Sequence, residues 1–170
     1  MKIAGAATGI VFFTRTGHTK RVAKRLAQAL SADLIPMRAP QYEKGFRGYM
    51  RAAIDSLRHI NEHTPQDFES LTDYDRIVLC APVWTSFPAV PLRGLLHGNV
   101  ALPSSVSLFL TSGAHSPTHK AFRVAETDLG RSFVAKASLP NDWEGTPKEE
   151  RIFARFFRDL DPAQGIAAAL

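Results

Sequence analysis

Thr14, Thr16 and Thr19, with Gly17 among them, are the residues of this chain whose types and spacing most directly offer chemistry. Three hydroxyls and a glycine within one short turn can gather around a small anion. The hydroxyls donate, the glycine takes a positive φ and lets the anion approach the chain, and the converging backbone N–H groups of residues 15–19 supply further donors. At the start of a helix such a turn also gains the helix's positive end, so a phosphate is held without a lysine. The competing reading is an ordinary strand-to-helix turn whose threonines cap the helix and bind nothing. Arg15 and His18 are expected to point outward, adding positive potential or simply solvating the turn.

The elements around that turn are legible from periodicity. The apolar run ending at Thr14 reads as a buried strand from Gly5 to Thr14. From Gly17 to about Ser31, Val22, Ala23, Leu26, Ala27 and Leu30 share one helical face. A second strand, Asp33 to Arg38, carries a proline suited to a sheet edge. Tyr42 to His59 reads as a helix with Tyr49, Ala52, Ala53, Ile54 and Leu57 on one face, followed by a polar connection from Asn61 to Asp73. Strand three, Arg76 to Cys80, is continuously apolar, as in a strand covered on both faces. A helix over Val90 to Leu96, strand four over Val106 to Thr111, and a helix over Ser116 to Gly130 follow. Strand five is read at Ser132 to Ala137, and a last helix at Pro147 to Leu160 turns Ile152, Phe153, Phe156 and Phe157 inward. The tail Asp161 to Leu170 is expected to fray. Strands alternating with helices imply an α/β domain with a parallel sheet wound on both faces. At 170 residues the chain makes one such domain.

Composition narrows the function classes. Hydrophobic residues at 45% and charged ones at 22% are those of a soluble globular chain. The one cysteine, Cys80, excludes an internal disulfide, fits a reducing cytoplasm, and at the end of an apolar strand reads as buried and inert. No stretch reaches the ~18 apolar residues of a membrane span. Residues 1–63 hold 11 Lys/Arg against 4 Asp/Glu, a balance of +7, whereas the remainder is at −2. On the first helix Lys20/Lys24 and Arg21/Arg25 are i,i+4 pairs that read as a solvated basic face. Nucleic-acid binding would need aromatic platforms that the chain does not pair with this charge. The six histidines are scattered without ligand spacing, so no metal site is expected.

The Thr14–Thr19 pattern, Thr/Ser-x-Thr-Gly-x-Thr after the first strand, resembles the FMN phosphate loop of the flavodoxins and matches it at every position. The resemblance continues at Tyr74 to Cys80 followed by Ala81 to Pro88, and returns at Val106 to Gly113. It implies a three-layer flavodoxin-like fold: a five-stranded parallel sheet of order 2-1-3-4-5 with helices on both faces. The loops after strands one, three and four would then meet at the switch point. By that resemblance Thr14, Arg15, Thr16, Gly17, His18 and Thr19 form the phosphate site. Pro82, Val83, Trp84 and Thr85 would line the flavin ring, with Trp84 either stacking on it or packing into the protein body. Pro88 and Pro91 would stiffen that loop. Ser112, Gly113, Ala114 and His115 would close the pyrimidine end. Electron-carrying flavodoxins offer an aromatic there, so His115 replaces it, partners a reduced flavin, or faces solvent.

Residues 14–19, 81–88 and 111–116 contain no Asp or Glu, and the sequence pI is near 9.7. Carrier flavodoxins are acidic. A basic chain with uncharged or positive flavin loops attracts anionic partners instead. The resemblance therefore implies an FMN-dependent oxidoreductase passing reducing equivalents from NAD(P)H to a quinone or other small acceptor. The alternatives are an FMN electron carrier serving protein partners, and a flavodoxin-like protein that has lost FMN. Phospho-receiver domains need an aspartate where strand three ends in Cys80, and low-molecular-weight tyrosine phosphatases need a cysteine where the loop opens with Thr14. Dimers are common among flavin reductases of this fold, although no residue identifies a homodimer here. The basic stretch Arg38 to Arg58 offers a lid or partner surface, or an ordinary amphipathic helix.

Overall fold

A computed structural model describes residues 7–39, 42, 51, 71–98, 100–113 and 117–161. All but Tyr42 and Arg51 of the expected helix at Tyr42 to His59, the polar connection as far as residue 70, Ala114, His115 and the tail beyond Asp161 lie outside the described residues. Strand β1 (Thr8–Phe12) leads through the threonine turn into α1 (His18–Leu30) and β2 (Asp33–Pro36). Then come β3 (Arg76–Trp84), β4 (Phe87–Pro88), α2 (Val90–His97), β5 (Ser105–Ser112) and α3 (His119–Leu129). The described chain ends with β6 (Lys136–Pro140), a 3₁₀ turn at Asn141–Trp143 and α4 (Pro147–Leu160).

The sheet order is β2-β1-β3-β5-β6, with all neighbours parallel. This is the expected 2-1-3-4-5 arrangement of the flavodoxin-like fold, with the two-residue β4 added as an antiparallel partner of β3. Side-chain alternation divides the core cleanly. Val11, Ile77, Leu79, Leu108 and Leu110 face a cluster completed by α2 and α3, while Ile10, Val78, Cys80 and Phe109 face one completed by α1 and α4. Period-2 strands buried on both faces produce that split.

Strands β1 and β2 each end two residues earlier than the sequence reading, at Phe12 and Pro36, and two further boundaries differ in ways that shape the site. Strand β3 runs four residues past Cys80, through Pro82 to Trp84. The Cys80 carbonyl accepts from Phe13 N–H at 3.0 Å on the β1 side. Two residues on, Pro82 turns the same edge toward the region where β1 has already ended, so its missing donor breaks no ladder bond. Strand β6 begins at Lys136 rather than Ser132. The apolar alternation of Phe133 and Ala135 belongs to an approach segment bonded to β5, with Val134 N–H donating to Val106 O at 2.8 Å. The regular ladder therefore ends three residues later than expected, at Pro140, and brings Asn141 to the carboxyl edge of the sheet.

Candidate functional site

Parallel strands end together, so the loops after β1, β3, β5 and β6 converge. Between them lies a cleft of about 130 Å³ lined by Arg15, Thr16, His18, Thr19, Pro82, Val83, Trp84, Thr111, Ser112, Gly113 and Asn141. All but Thr111 and Asn141 are among the residues that sequence reasoning placed in the site. Thr14, Gly17 and Thr85 border the cleft's loops without lining it, and Ala114 and His115 are outside the described residues.

The threonine turn is shaped from within. The N–H of Gly17 donates to Thr14 Oγ1 at 3.1 Å, and Gly17 adopts φ +98°. Thr14 thus fixes the turn's curvature. Thr19 is 2% exposed, and its hydroxyl shares a 2.8 Å hydrogen bond with Thr111, tying α1 to the end of β5. Thr16 is exposed at the cleft and keeps the position best suited to meet a ligand. No side chain caps the N-terminus of α1. The first-turn N–H groups of a helix have no intrahelical acceptors, and here they open beside a left-handed glycine, which is the arrangement that favours an anion.

The β3–β4 hairpin forms the opposite wall. Its central residues Thr85 and Ser86 have φ of 49° and 69°, the pair of positive values that a two-residue type I′ hairpin requires. Thr85 spends its hydroxyl locally, donating to Trp84 O at 2.8 Å. Trp84 both lines the cleft and packs on the core. Its ring meets Phe13 edge-on at 5.6 Å and Tyr42 at 5.3 Å. These near-perpendicular contacts hold the indole in place at the edge of the core.

The fourth wall was not anticipated. Glu144, just after the 3₁₀ turn, bonds His18 Nδ1 at 2.8 Å and pairs with Arg21 Nε at 3.2 Å. Glu149, 1% exposed, accepts from Arg21 at 2.5 Å and from the Gly145 N–H at 2.6 Å, with Arg25 3.4 Å away. Arg25 also pairs with Glu150 at 2.6 Å and lies 4.0 Å over the Phe153 ring. The Glu150 carboxyl is held below its ordinary pKa by that Arg25 hydrogen bond, and the Arg25 guanidinium is raised by the same contact. So Lys20, Lys24 and Arg21 are exposed as expected of a solvated basic face, but Arg21 and Arg25 also clamp α1 to α4 and the turn before it, which the sequence reading did not include. His18 turns into the site rather than outward, as does Arg15. The cleft lining carries these two basic side chains, and the carboxylate beside it, Glu144, is bonded to His18 and Arg21.

A second groove, about 400 Å³, lies between α2 and α3 beside Phe87. Its floor is a buried ion pair, Arg93 Nε to Asp128 at 2.7 Å, joined by His97 Nε2 at 2.8 Å. Cys80 lies fully buried, and burial pushes its thiol well above the ordinary range, away from any nucleophilic role. The described residues contain no group of three or more His, Cys, Asp or Glu able to hold a metal, and no helix long and apolar enough to cross a membrane.

No family model and no curated protein sequence matches the chain. Solved structures do. A flavoprotein in complex with FMN from Lactobacillus acidophilus NCFM aligns with TM-score 0.58 and 21% identity over 79% of this chain and 93% of its own. A flavoprotein from Bacteroides uniformis aligns with TM-score 0.59 and 22% identity over 86% and 96%. One from Bacteroides eggerthii aligns with TM-score 0.61 and 18% identity over 88% and 96%. At such identities the likeness establishes the flavodoxin-like fold and leaves the chemistry to the site itself.

Proposed function

We propose that the cleft binds FMN and that the chain is an FMN-dependent oxidoreductase, passing reducing equivalents from NAD(P)H to a quinone or other small acceptor. One observation carries the reading: the uncapped N-terminus of α1, behind Gly17 at φ +98°, opens onto a cleft that pairs hydroxyls and two basic side chains with an indole wall. Those donors suit a phosphate, and Trp84 suits a flat aromatic ring; FMN joins the two. The cleft's 130 Å³ is room for the phosphate end and its linker, below the ~300 Å³ of a pocket that surrounds a whole ligand.

In this reading the N–H groups of residues 15, 16, 18 and 19 and the Thr16 hydroxyl hold the phosphate, the Gly17 N–H being engaged by Thr14. Arg15 offsets its charge, and His18, held by Glu144, stands beside it in the lining. Thr14 keeps the turn's shape, and Trp84, braced by Phe13 and Tyr42, offers a face to the ring. Bound FMN supplies the redox chemistry, accepting two electrons from one partner and passing them to the next. The net charge of +5, with no Asp or Glu in residues 14–19, 81–88 and 111–116, favours the approach of an anionic dinucleotide, which supports a reductase over an acidic carrier. A reducing compartment such as the cytoplasm fits the buried Cys80 thiol.

The test is to load the protein with FMN, desalt it, and add NADH or NADPH without oxygen. Bleaching of the visible flavin band, reversed by a quinone, is the expected result. A flavin band that neither dinucleotide bleaches overturns the reductase assignment and leaves an electron carrier.

A further inference from the structure

The loop after β6 presents an acceptor with nothing to accept. Asn141 follows Pro140, which pairs in register with Ser112, so its side chain enters the cleft between the end of β5 and the threonine turn. Its Oδ1 is buried and has no hydrogen-bond partner among the described residues. Leaving a buried acceptor unpaired costs about 1–3 kcal/mol, so a folded protein seldom keeps one without use.

The loop is also held in place. Glu144 bonds His18 at 2.8 Å and Arg21 at 3.2 Å, and the Gly145 N–H donates to the buried Glu149 at 2.6 Å. These contacts fasten the turn carrying Asn141 to the first turn of α1. The Oδ1 of a carboxamide fixed this way beside an anion cradle cannot be satisfied by the anion, since phosphate oxygens are themselves acceptors. It needs a donor one step removed from the phosphate.

We propose that Asn141 accepts a hydrogen bond from a hydroxyl of the ligand's polyol linker. The loop over residues 141–144 would then be a specificity element that selects a hydroxylated chain between phosphate and ring. This inference rests on the FMN reading, because FMN carries such a ribityl chain. It adds a contact from the fourth loop, which the three loops matching the flavodoxin pattern do not supply.

The experiment is a chemical double-mutant cycle. Dissociation constants are measured by flavin fluorescence quenching for wild type, Asn141→Ala and Asn141→Leu. The two ligands are FMN and a flavin whose ring and phosphate are joined by a plain alkyl chain. Melting temperatures of the unloaded variants show that they fold. Losing one such hydrogen bond should weaken FMN binding about 3–10-fold in both variants and leave the alkyl analogue within about twofold of wild type. Equal losses for both ligands would assign Asn141 a purely structural part and overturn the proposal, as would unchanged FMN affinity. If wild type bound the alkyl analogue as tightly as FMN, the linker hydroxyls would have no partner in the site, and the proposal would fall while the FMN reading stood. Wild type that binds neither flavin removes the FMN reading and this inference with it.

Discussion

Replacing Gly17 with alanine isolates the energetics of the phosphate turn. Gly17 holds φ +98°, and nothing lies within 4 Å of the place a Cβ would take. The substitution therefore adds no clash, and its cost is torsional, about 1–2 kcal/mol for an L-residue in the left-handed region. Alanine also lowers the entropy of the unfolded chain, which returns about 0.4–1 kcal/mol on the stability side alone. The torsional cost can appear in either of two equilibria. If the unloaded turn keeps its shape, the protein loses up to about 1.5 kcal/mol and as much as ~6 °C in Tm, and FMN affinity stays put. If the unloaded turn relaxes, stability is preserved and binding must restore the turn, so Kd rises about 5–30-fold. Urea unfolding of the unloaded protein, run beside an FMN titration in one buffer, reads both. An alanine variant with unchanged Kd and raised stability would show that position 17 carries no strain and would refute the reasoning.

Three further outcomes follow from other parts of the molecule. Asp128→Ala removes the carboxylate paired with the buried Arg93 guanidinium, 6% exposed, and should cost about 3–5 kcal/mol in urea unfolding. Adding Arg93→Met to that variant should recover most of the loss, and a double variant no better than the single would show that the pair is not what stabilises this region. Thr85→Asn places a residue tolerant of positive φ at 49° in the hairpin turn and should raise Tm by about 1–4 °C; a drop would mean that the threonine hydroxyl bond to Trp84 O outweighs the strain. Cys80, fully buried with its thiol pushed up by desolvation, should resist a thiol reagent at mildly alkaline pH until denaturant is added, and immediate labelling of the native protein would contradict the buried strand end.

How far the sequence reaches depends on whether a feature is local. The threonine turn announces itself through residue type and spacing, and α4 lies at Pro147–Leu160 as periodicity predicts, with Phe153 and Phe156 buried and Ile152 and Phe157 partly so. The sheet order follows from strand–helix alternation, because right-handed crossovers leave few other arrangements. What escaped is contact between distant segments. Arg21 meets Glu149 across 128 residues, and no helical period records that. Asn141 was hidden because strand five was read from the apolar Phe133 and Ala135 and ended too early. Had that strand been carried to Pro140, the rule that parallel sheets bind ligands at strand carboxyl ends would have pointed to the next residue. Strand three likewise extends past Cys80 through Pro82, whose absent donor faces beyond the end of β1.

The central claim is that the turn at Thr14–Thr19 is a phosphate site for a flavin. Its most direct test is a paired titration of the purified protein with FMN and with riboflavin, which differ only in the phosphate. Two charge-assisted hydrogen bonds to that phosphate, at about 1.5–3 kcal/mol each, predict saturation at one FMN per chain and affinity for riboflavin at least ~100-fold weaker. Equal affinities would place the flavin somewhere other than this turn, and no binding of FMN would contradict the account outright.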